Sequence, residues 1–211
     1  MSKIMQTLDA EPVIFEIIVL IFSIIIHEIC HGYVAELLGD PTARLKGRLT
    51  LNPLKHIDPI GSIIVPIITS LGGLTFGWAK PVPFNPYNLK NRRIGELLIA
   101  LAGPASNFLI AFVFGLFIRF GVGPSVIFFQ LCLYIVLINI SLAVFNLIPI
   151  PPLDGSKVLF AAFPENPKWT AIRRSIEQYS IVFLFILVVF LWKLVVPILP
   201  FFLKIFTGIS F

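Results

Sequence analysis

The chain has 211 residues, of which 57% are apolar and 13% charged, with a mean hydropathy of +0.96. A soluble domain of that length could not keep so much apolar surface from water, so composition excludes an ordinary soluble globule and predicts an all-α polytopic membrane protein in a lipid bilayer. The net charge of +5 and the isoelectric point near 9.4 do not indicate nucleic acid, because the basic residues fall in two connecting segments rather than on one aromatic-interleaved face.

The first apolar run, from about Val13 to Leu38, is full length for a bilayer and lacks the small-residue cleavage site of a secretory signal. It is expected to remain as a spanning helix. Next comes a segment from Gly39 to Arg93, rich in Pro, Gly and Asn, whose apolar patch GSIIVPIITSLGGL is short and broken by proline. That pattern predicts a re-entrant or interfacial piece rather than a span. FGWAKPVPFNP follows, and its alternation of small, basic and proline residues predicts extended chain.

Two further spans are expected, from about Ile94 to Phe120 and from Ser125 to Ile148. A fourth begins near Tyr179 and reaches toward Phe211, where Pro197 and Pro200 should kink or end it; whether it crosses once or turns back stays open. The sequence thus predicts about four transmembrane helices with a Pro-rich insertion between the first two. They form a single domain over 1–211, with a core at 13–160 and a C-terminal membrane region at 179–211.

Positive charge orients this chain. Eight Lys and Arg residues lie between positions 39 and 93, and Lys157, Lys168, Arg173 and Arg174 between 149 and 178, whereas the 121–124 turn has none. The basic segments are therefore expected in the cytoplasm and the N-terminus outside, in the cell membrane. Cys30 and Cys132 both lie in apolar segments, where a reduced packed thiol is the usual state.

The chemistry concentrates in IFSIIIHEICHGYVAELL, residues 21–38. His27 and His31 are four apart and share one helix face, so two imidazoles can hold one metal ion. Glu28, about 100° round the helix, can reach a water beside that ion without binding it. Ionisable groups are expensive inside a bilayer, which argues for function over chance. Two histidines leave a catalytic zinc one protein ligand short. Asp154, in NLIPIPPLDG, is the acid available at the end of the third span; Pro149, Pro151 and Pro152 break the helix there, which lets the chain dip back about 10 to 17 Å to the depth of the histidines. The alternative for Asp154 is an N-cap on a short following helix.

HEICH in the first span, AGPASN at 102–107 in the second and NLIPIPPLDG closing the third together resemble the site-2 protease family of intramembrane zinc metalloproteases. The resemblance covers about 13–160. It implies one Zn2+ per chain held by His27, His31 and Asp154, Glu28 as catalytic acid and base, and Asn146 holding the substrate carbonyl or its oxyanion. It also implies substrates that are transmembrane segments of other proteins, cut near the cytoplasmic face in regulated intramembrane proteolysis. No PDZ or CBS module is recognisable.

Weaker candidates complete the set. Asn107 could contact substrate or only ease helix approach. His56 is expected to be a surface or supporting group, and Cys30 a packed thiol. In extended WAKPVPF, Pro81 and Pro83 withhold donors from one edge, so Lys80, Val82 and Phe84 are expected to present the other as a template for an unwound substrate, with Val82 central; the alternatives are a Pro-rich interfacial loop without a partner and a strand paired only within 39–93. A zinc transporter would need ligands distributed across the bilayer, and the second and third spans contain no histidine. A dead scaffold would not keep the whole ligand set.

Overall fold

The computed structural model describes residues 11–71, 77–123, 125–163, 166–180 and 196–209. Helix α1 runs over Glu11–Leu37. It stops where Gly39 takes φ 108, with the N–H groups of Gly39 and Asp40 donating to the carbonyls of Glu36 and Ala35. That left-handed residue closes the helix and turns the chain back along it. The insertion holds a wide helical turn at Pro59–Ile64 leading into α2, Val65–Leu71, so the apolar patch is helical but too short to cross.

Helix α3, Arg92–Arg119, opens on Asn91, whose side chain accepts from the Ile94 N–H. Helix α4, Val126–Asn146, opens on Ser125, which accepts from the Phe128 N–H. These caps satisfy donors that a helix end leaves free. Short helices follow: α5 at Asp154–Ala162, α6 at Pro167–Gln178 and α7 at Leu199–Thr207.

Three described helices are long and apolar enough to cross a membrane, Val13–Leu37, Arg92–Arg119 and Val126–Asn146, and no strand occurs among the described residues. The expected fourth span falls mostly on 181–195, outside the described residues. Beyond it Pro197 lies in a tight turn and Pro200 in the first turn of α7, where a proline is tolerated because its missing N–H has no helical partner anyway.

Helix α3 is central and packs on α1, α4, α5 and α7. Ala111 of α3, Val136 and Ile140 of α4 and Leu203 of α7 form the main core, flanked by Phe108, Phe202 and Phe206. Lipid is as apolar as leucine, so close approach of helices rests on small residues; Ala100, Ala111 and Ala143 are fully buried at these contacts. Val13, Ile14, Ile17, Ile18 and Phe22 of α1 point outward, as lipid-facing side chains would.

Candidate metal centre

The face of α1 turned toward α3 carries Ser23, His27 and His31, all buried. After α4 ends, Ile148–Leu153 fold back through two short-range hydrogen bonds, and Leu153, not Asp154, takes the N-cap position of α5 with no side-chain cap. The capping alternative for Asp154 therefore does not hold. Gly155 makes the return possible, since a Cβ there would collide with the Leu147 carbonyl.

Asp154 Oδ2 comes to lie 3.1 Å from His27 Nε2 and 3.1 Å from His31 Nε2. His27, His31 and Asp154 are the group of potential metal-holding side chains found among the described residues, with donor atoms all within 4.8 Å of one another. Lys157, one turn on, donates to the other oxygen of Asp154 at 3.1 Å.

The hydrogen bonds behind the histidines fix which ring nitrogens face the cluster. Asn139 donates through Nδ2 to the Ile135 carbonyl at 2.9 Å, so its Oδ1 faces Asn107. Asn107 must then offer Nδ2 to it, at 2.9 Å, and turn Oδ1 toward His27 Nδ1, at 2.6 Å. That oxygen can only accept, so His27 carries its proton on Nδ1. His31 Nδ1 likewise donates to the Ile99 carbonyl at 2.6 Å.

With both rings neutral, the two Nε2 atoms present lone pairs to a carboxylate oxygen. Three acceptors facing one another in a buried space repel unless a proton or a metal cation sits among them. Two ligands about 2.1 Å from one tetrahedral ion lie about 3.4 Å apart, close to the separations seen. Gly103 of α3 keeps the space clear, because a Cβ at that position would run into Nε2 of both histidines. The donor set and the clearance fit a zinc-like ion.

A cavity of about 420 Å³ joins this cluster to Glu28, Asn146, Val82 and Phe84. Asn146 donates to the Leu142 carbonyl at 2.9 Å, one turn back on α4. Glu28 Oε2 accepts from the Val82 N–H at 2.8 Å. This corrects the expectation of an open strand edge. The Lys80 N–H is also taken, by the His56 carbonyl at 2.8 Å, and the carbonyls of Lys80 and Pro81 accept from Arg48 at 2.7 and 3.3 Å.

Residues 77–85 thus form a strap without helix, tied down along its length. Asp40 anchors its far end, accepting from the Asn85 N–H and the Asn88 amide. Burial opposes ionisation of Asp40, but hydrogen bonds from Thr42, Asn85 and Asn88 outweigh it and hold the carboxyl below its usual range.

Asn107 also needs correction. It is fully buried, holds His27 Nδ1 with its Oδ1 and does not line the cavity beside the cluster, a place suited to orienting the ring rather than meeting substrate. His56 bonds through Nε2 to the Thr50 carbonyl and stands apart from the cluster, and Cys30 is a free thiol outside it. Ser23, Asn139 and Arg48 were missed. A polar Asn139 within an apolar span was the available signal; Arg48 offered none.

Removing the Asn107 amide should leave His27 Nδ1–H without its acceptor and free the ring to turn. Asn107→Ala is expected to lower affinity for a divalent cation by about 10- to 100-fold, measured by competition with a chromophoric chelator. Parental affinity would mean that the buried amide does not position His27.

Comparison with known proteins bears on the same residues. The profile of peptidase family M50 matches residues 124–191. A Bacillus subtilis protein named as a zinc metalloprotease, YwhC, is 36% identical over 184 residues, 82% of this chain and 79% of that protein. The similarly named Rip2 of Mycolicibacterium smegmatis is 33% identical over 138 residues, covering 64% of this chain and 52% of that protein. Rip2 of Mycobacterium tuberculosis is 29% identical over 168 residues, 78% of this chain and 62% of that protein. No solved structure matches the chain.

Proposed function

The chain belongs to peptidase family M50, the site-2 protease family, and from that membership we propose that it is a zinc metalloprotease that hydrolyses peptide bonds in or near transmembrane segments of other membrane proteins. The single observation that carries this reading is the buried cluster of His27, His31 and Asp154 within the membrane-spanning bundle, with its lone pairs turned inward.

His27 and His31, through Nε2, and Asp154, through a carboxylate oxygen, would hold the zinc. When bound, zinc supplies a Lewis acid that makes water a nucleophile near neutral pH and polarises a peptide carbonyl. Glu28 accepts the proton of the attacking water and returns it to the departing amine nitrogen. Its Oε2 accepts from the Val82 N–H, which leaves Oε1 to take the proton while the strap holds the carboxylate in place. Asn146, which lines the same cavity, turns its amide from the Leu142 carbonyl toward the substrate oxygen and stabilises the charge developing there. Asn107, Asn139 and Ser23 keep His27 in one tautomer throughout.

Depth and charge support the rest. His27 is ten residues before the end of α1, about 15 Å below it, and the basic insertion at that end favours the cytoplasmic side. A helix hides its carbonyls in hydrogen bonds, so substrates whose spans unwind near the cytoplasmic face are favoured.

New protein termini in the membranes of producing cells, mapped by mass spectrometry, test the proposal. Termini inside or within a few residues of predicted spans should appear with the parental protein and vanish when zinc is chelated. Chelator-sensitive termini found only in soluble regions would overturn it.

A further inference from the structure

The basic end of α3 carries a second cavity, distinct from the metal centre, of about 290 Å³ between α3, α5 and α6. Four guanidinium groups line it, those of Arg92, Arg93, Arg173 and Arg174, against the carboxylates of Glu96 and Glu177. The internal pairing uses both acids. Glu96 accepts from Arg92 Nε at 2.8 Å and from Arg173 at 3.0 Å, and Glu177 accepts from Arg173 Nε at 2.8 Å. Arg93 reaches only the neutral Ala161 carbonyl, at 2.5 Å, and Arg174 has no hydrogen bond or ion pair among the described residues. Among the described residues, the two positive charges of Arg93 and Arg174 therefore have no carboxylate partner at this cavity.

The surroundings say what kind of anion meets them. Arg92 is the first residue of a membrane-spanning helix, so the cavity lies at the level where a span leaves the hydrocarbon. Helix α6 turns Trp169, Thr170, Arg173, Arg174 and Glu177 toward the cavity, so basic side chains and an aromatic ring meet there. Trp169 also stacks on Phe163 with ring centroids 4.2 Å apart, forming an aromatic wall of the cavity at the depth where such rings collect. A phospholipid with a charged headgroup satisfies the arginines at that level and lays its chains beside α3 and the aromatic wall.

We propose that this cavity binds the phosphate headgroup of an anionic membrane phospholipid, held chiefly by Arg93 and Arg174. The full-length protein in detergent, equilibrated with mixed micelles of phosphatidylglycerol and phosphatidylcholine, tests it through the lipid retained after gel filtration. The parental protein should be enriched in phosphatidylglycerol, and Arg174→Gln should lower the enrichment about fivefold, the effect of one basic residue near an anionic surface. Arg93→Gln with Arg174→Gln should lower it further, while Lys46→Gln, an exposed charge away from the cavity, should leave it unchanged. Helicity by circular dichroism is expected to stay parental in each.

Equal enrichment in parent and double variant would overturn the proposal, as would an equal loss in Lys46→Gln, which would mean unspecific charge attraction. Millimolar inorganic phosphate displacing the phosphatidylglycerol would overturn the lipid source and assign the cavity to a soluble phosphate.

Discussion

Glu28→Gln protein is expected to carry zinc as the parent does and to cleave at least about a hundredfold more slowly, the scale of a lost general base. Glu28 is not among the three converging side chains, and its one described hydrogen bond is to the Val82 N–H. Glutamine keeps the shape and an oxygen for that bond, so the strap and the cluster should be undisturbed. What disappears is the capacity to take a proton from water and return it. Zinc per chain and cleavage of a membrane-spanning reporter, measured on one preparation, decide the matter. Loss of metal would place Glu28 among the ligands, and parental cleavage would remove it from proton transfer.

Asp154→Ala should do the opposite to the metal. It deletes the anionic member of the donor set and leaves the Lys157 ammonium beside two imidazoles with no carboxylate between them. Breaking a buried charge constellation on one side costs about 3–5 kcal/mol, so zinc affinity should fall by a factor of several hundred, and cleavage with it. Titration against a competing chelator measures this, with helicity as the check on folding. Near-parental affinity would strike Asp154 from the ligands.

The two effects differ because Asp154 is one of the three converging side chains and Glu28 is not, whereas distances along the chain governed what could be read in advance. His27, Glu28 and His31 were legible because their relation is set by one helical turn. Asp154 was legible by the chemistry of a missing ligand and by prolines that let the chain return. Asn107 was noticed for its residue type but not placed behind His27, since that position depends on the register of α1 against α3. Asn139 lies on α4, and Ser23, one turn before His27 on α1, reaches the network only through Asn107 and Asn139 on other helices.

The strap shows the limit most clearly. Counting prolines told which backbone donors exist in WAKPVPF, but not that His56 and Glu28 would claim those of Lys80 and Val82. Arg48 and Asp40 brace it from outside, through contacts that only the folded insertion creates.

The separation of the ligands has a consequence for biosynthesis. His27 and Asp154 are 127 positions apart. At about 5–20 residues per second, a ribosome needs roughly 6 to 25 s to travel from one to the other. During that interval α1 can already be in the membrane with its histidine pair, while Asn107, Asn139 and finally Asp154 have yet to be made. A nascent chain released early therefore has the first two ligands and the base but lacks the acid that completes the site. On the proposed ligand set, proteolytic competence is withheld until α4 and the turn after it have been delivered.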